Sequence, residues 1–67
     1  MTAADARTRL LGLEAERVDA IDAGLGENAA YMADLHQDLA ASRVAYISLA
    51  VTEIATLRAQ LGAPQVG

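Results

Sequence analysis

The chain has 67 residues, a formal net charge of −4, no cysteine and one histidine. A single core of that size rarely supplies more than about 3–5 kcal/mol without a disulfide, a metal or a partner chain. With no disulfide available and no clustered metal ligands, association with another chain is the expected route to stability. The five basic residues, Arg7, Arg9, Arg17, Arg43 and Arg58, are dispersed. Without a cluster that could release counterions from a phosphate backbone, direct nucleic-acid binding is not expected.

The composition is 54% hydrophobic but includes only two aromatics, Tyr31 and Tyr46. Ala, Leu, Arg and Glu are strong helix formers, and Phe and Trp are missing, so the expected class is all-α. The opening MTAADARTRL shows no basic segment followed by an apolar one, and a cytoplasmic setting is the expectation, or a virion if the chain is phage-encoded. The longest uncharged run, residues 44–52, is less than half of the roughly 20 residues that a membrane span requires. Membrane association is therefore not expected.

The first element starts at MTAAD. Thr2 is a candidate N-cap and Asp5, three residues on, completes a capping box and suits the helix dipole. A helix over about 3–23 follows. At about 100° per residue, Leu10, Leu11, Val18, Ile21 and Leu25 fall on one side with Ala4 and Ala15, and Arg9, Glu16 and Asp19 fall opposite.

AGLGEN then predicts a chain reversal. Gly24 and Gly26 are both able to take the left-handed conformation that closes a helix, and Asn28 is a good N-cap for the next one. Two glycines so close together would cost about 2 kcal/mol in a continuous helix. A long helix over about 29–61 is expected after the turn, with Gly62 at its end, Pro64 preventing continuation and a short C-terminal tail over 62–67. The whole chain, 1–67, is then one helical hairpin domain.

The two predicted helices differ in length, about 32 Å against about 50 Å. With the reversal at 24–28, antiparallel neighbours have numbers summing to about 52, so Ala3 lies near Leu49. Val51, Ile54, Leu57 and Leu61 continue beyond the shorter helix and have no partner within the chain. The long helix is also apolar over more than half its circumference, with Leu35, Leu39, Tyr46 and Leu49 on one side and Val44, Ile47 and Val51 extending the surface. An 11-residue spacing, Leu35/Leu39, Tyr46/Ala50 and Leu57/Leu61, fits the apolar positions better than a heptad from Met32 through Leu35, Leu39, Ser42, Tyr46 and Leu49, which fails at Glu53 and Thr56.

The reactive side chains point to no chemistry. His36 lies between Asp34 and Asp38, but residues two apart on a helix point about 200° apart, and position 33 is Ala where a diiron bundle would need Glu. Ser42 lies about 120° from His36 with no third group to orient a base. No cofactor, metal or catalytic residue is assigned, and an enzyme is not expected.

Together these readings predict an antiparallel hairpin that assembles into an oligomeric helical bundle. Its expected role is that of a non-enzymatic structural or assembly protein, a homo-oligomer or a subunit of a larger particle such as a bacteriophage virion accessory subunit. The expected interface comprises Leu35, Leu39, Arg43, Tyr46, Ile47, Leu49, Val51, Glu53, Ile54, Leu57 and Leu61. Arg43 and Glu53 flank its apolar belt and could pair across it, with Arg7 and Glu14 as further candidates. The alternative is an acidic regulatory module of the antitoxin or anti-activator kind, docking the end of the long helix in a partner's groove.

Overall fold

A computed structural model describes residues 1–62, and two α-helices account for nearly all of them. Helix α1 spans Ala3–Asp22, a single 3-10 turn spans Leu25–Glu27, and helix α2 spans Ala29–Gly62. The helices run antiparallel as a hairpin, and there is no strand among the described residues. The expected tail and the Pro64 stop lie outside the described residues, apart from Gly62, which is the last residue of α2.

Local chemistry accounts for each end. The Thr2 hydroxyl accepts from Asp5 N–H while the Asp5 carboxylate accepts from Thr2 N–H, closing the capping box. The backbone N–H of Thr2, followed by its hydroxyl contact, holds the Asp5 carboxyl below the usual aspartate range. At the far end Ala23 N–H reaches Asp19 O, and Gly24 takes φ +88°. Among the described residues only Gly24 adopts the left-handed conformation. Gly26, expected to share that role, lies inside the 3-10 turn with φ outside that region. Asn28 then accepts from Tyr31 N–H through Oδ1 and starts α2.

The core between the helices is narrow. Ala6 and Ala20 from α1 and Leu35, Leu39 and Ser42 from α2 are buried, and Ala3, Leu10, Leu13 and Glu14 are half-buried opposite Met32, Tyr46, Leu49 and Ala50. The side of α1 turned toward α2 therefore differs from the expected one. Leu11, Val18 and Ile21 are exposed, and the small residues Ala6 and Ala20 take the contact because they let the two backbones approach closely.

Along the reach of α1 the covered positions of α2 include Met32, Leu35, Leu39, Ser42, Tyr46 and Leu49, the heptad line, and also Ala50, so both spacings are met there, while Leu57 and Leu61 lie beyond α1 and are exposed. Glu53, where the heptad loses its apolar character, has another use. Its carboxylate accepts the free backbone N–H of Ala3 in the first turn of α1, where a negative charge also meets the positive end of the helix dipole.

Candidate association surface

The covered line on α2 ends at Ala50. Every described residue from 51 to 62 is exposed, which leaves an arm of α2 about 18 Å long beyond the reach of α1. The register agrees with the expected sum near 52. The Glu53 side chain leans back toward the N-terminus of its own helix and so meets Ala3 from a position about one turn further along.

A second line of large apolar residues runs along α2 on another side. Val44, Ile47, Val51 and Ile54 each stand five residues beyond a member of the covered line, Leu39, Ser42, Tyr46 and Leu49 respectively. Five residues are about 140° of rotation, so this outer seam points well away from α1. With Leu57 and Leu61 these residues remain 52–65% exposed in the hairpin.

Helix α1 repeats the device. Leu11 and Val18 stand five residues beyond Ala6 and Leu13, and both are exposed. In an antiparallel pair, rotation in the same sense from the mutual contact ends on the same side of the pair. Both apolar ridges therefore lie on one side of the hairpin. Between them Arg43 Nη2 stands 3.9 Å from Glu14 Oε1, both side chains being well exposed.

The other side is polar. There the Tyr31 hydroxyl donates to Glu16 Oε1 at 3.1 Å, and this bond to a carboxylate raises the phenol above its ordinary pKa. About 15 Å further along α2, a shallow cleft of about 190 Å³ opens between Ala6 and Arg9 of α1 and Ala41, Ser42 and Ala45 of α2, with Met1 at its rim.

The expected interface residues thus divide into two sets. Leu35 and Leu39 are buried against the chain's own α1, and Tyr46 and Leu49 are half-covered by it. Ile47, Val51, Ile54, Leu57 and Leu61 are exposed on the outer seam and the arm. Arg43 and Glu53, expected to face each other across an interface, each have a partner within the hairpin, Glu14 and the Ala3 amide. The sequence reading did not assign Val44, Leu11 and Val18 to the exposed surface set. The five-residue offset from each covered line is the signal that would have found them.

Helix α2 is also long and apolar enough to cross a membrane by length and composition, with 11% of its most apolar 18-residue window buried. Among the described residues no three of His, Cys, Asp and Glu converge as metal ligands would. Comparison with protein-family models, with curated proteins and with solved structures finds no match.

Proposed function

We propose that this protein is a non-enzymatic assembly subunit, a helical hairpin that works by associating through the exposed apolar surface of α2. The observation that supports the reading is the outer seam with its arm, Val44 through Leu61, in which six large aliphatic residues are left more than half exposed. Contiguous apolar surface of that extent is uncommon on a monomer and characteristic of an interaction site. The narrow hairpin core adds to the argument, because only two of its four buried apolar residues are larger than alanine. Burying a leucine contributes about 1.5–3 kcal/mol, and a chain of this size with so little core gains most from further cover.

The test is the mass of the full chain by sedimentation across a hundredfold dilution, with helicity followed in parallel. A stoichiometric oligomer that stays helical is the expected result. A helical monomer throughout would remove the reading.

A second reading is favoured by one feature. The arm over 51–62 is exposed on all sides and carries Val51, Ile54, Leu57 and Leu61 at anchor spacing, as a helix that docks in a partner's groove would. In that case the isolated chain is monomeric, and the arm gains helicity only with a partner bound.

A further inference from the structure

We infer that the outer seam of α2 is a self-complementary surface whose occupant is the same seam of a second copy, running antiparallel with the two-fold axis level with Leu49. The inference rests on the assembly reading above and specifies its geometry. Four observations carry it.

The first is the spacing. Val44, Ile47, Val51 and Ile54 are separated by three, four and three residues, a pattern that reads the same in both directions about position 49. An antiparallel second copy in that register sets Val44 against Ile54 and Ile47 against Val51, and the two-fold repeats both pairs. Each of the four layers then holds one Val and one Ile, so layer volume stays constant along the contact, as close packing requires.

The second is charge. Arg58 falls on the seam one step beyond Ile54. A parallel, in-register pair would set the Arg58 side chains of the two copies together, which repels. The antiparallel register sets Arg58 over Ala40, where a small residue leaves room for the aliphatic stem while the guanidinium stays in water.

The third is area. Val44, Ile47, Val51, Ile54 and Leu61 retain 52–65% of their surface, on the order of 550 Å² together, most of the roughly 800 Å² that each partner contributes to a standard interface. Ala40 and Ala55 along the same seam supply further contact.

The fourth is cover for the arm. In this register the stretch from Val51 to Arg58 lies on the partner's α2 between its residues 40 and 47, a part of α2 that has α1 on its other side. The arm left bare by the short α1 is thereby packed against a helix that is itself supported.

The chain lacks cysteine, so single introduced thiols report the geometry cleanly. Ile47 and Val51 are both exposed and the register sets them level with each other across the contact. Under mild oxidation, a mixture of full-length Ile47→Cys and Val51→Cys proteins should form a disulfide-linked dimer in high yield. Ile54→Cys alone should not, because its two copies stand about 15 Å apart along the axis, whereas a mixture of Val44→Cys and Ile54→Cys proteins should give the mixed dimer. Sedimentation of the unoxidised wild type is run beside them. An oligomer in which the Ile47→Cys and Val51→Cys mixture fails to cross-link, or in which Ile54→Cys cross-links with itself, overturns this geometry and leaves the assembly reading standing. A helical monomer at every concentration, or a monomer that instead binds neutral lipid vesicles, overturns both.

Discussion

Gly24 carries the turn. Its φ of +88° belongs to the left-handed region, and a Cβ built there would meet nothing within 4 Å. A substitution at this position is therefore resisted by backbone strain alone, not by a clash. Gly24→Ala should destabilise the hairpin by about 1 kcal/mol and Gly24→Asn by less, because asparagine tolerates that conformation better. Thermal unfolding of the two variants against wild type checks the order; equal midpoints for alanine and glycine would show that the turn does not need this conformation. The residues that set the ends of the elements were legible in the sequence because their chemistry is local. Thr2 with Asp5 and Asn28 act through hydroxyl, carboxylate and amide groups within three residues of their targets. Gly26 was less legible, since its composition matches that of Gly24 and only the path of the turn distinguishes them.

At the scale of the helix, α2 is two surfaces on one cylinder, and the two respond differently to the same mutation. Leu39 is 3% exposed and lies in the contact with α1, while Val51 lies on the outer seam. Leu39→Ala removes buried methyl groups and should cost about 2–5 kcal/mol, enough to lower the helical circular dichroism of so small a hairpin markedly. Val51→Ala should preserve or slightly raise helicity, since alanine is the better helix former, and should shift the association equilibrium toward monomer. Equal loss of helicity in both variants would mean that the two surfaces are not separable. The choice between these surfaces was only partly legible. Side-chain size alone turns Leu11 and Val18 inward, whereas close approach of the backbones favours Ala6 and Ala20. Glu53 breaks the heptad in the sequence, and its use follows only from the position of the α1 N-terminus, whose free amide a carboxylate accepts.

At the scale of the whole molecule, the principal extents of 62 × 15 × 14 Å describe a narrow rod about four times as long as it is wide. The length mismatch between the helices was legible from turn and cap signals alone, because helix rise is fixed and the number of residues on each side of Gly24 is given. The sidedness was not, because it depends on which faces of α1 and α2 meet, and only then do the two five-residue offsets fall on one side of the pair. The polar side and the apolar side of this hairpin are a property of the pair and of neither helix alone.

The arm beyond Glu53 has a mechanical consequence. It is a cantilever, clamped where Glu53 holds the first turn of α1 and free at its other described end. A rotation of 5° at the clamp moves the tip by about 1.2 Å over the ~14 Å from Glu53 to Gly62. Leu57 and Leu61, the described apolar residues nearest the tip, therefore move furthest for a given rotation. A single carboxylate thus marks the point where α2 passes from a braced helix to a lever.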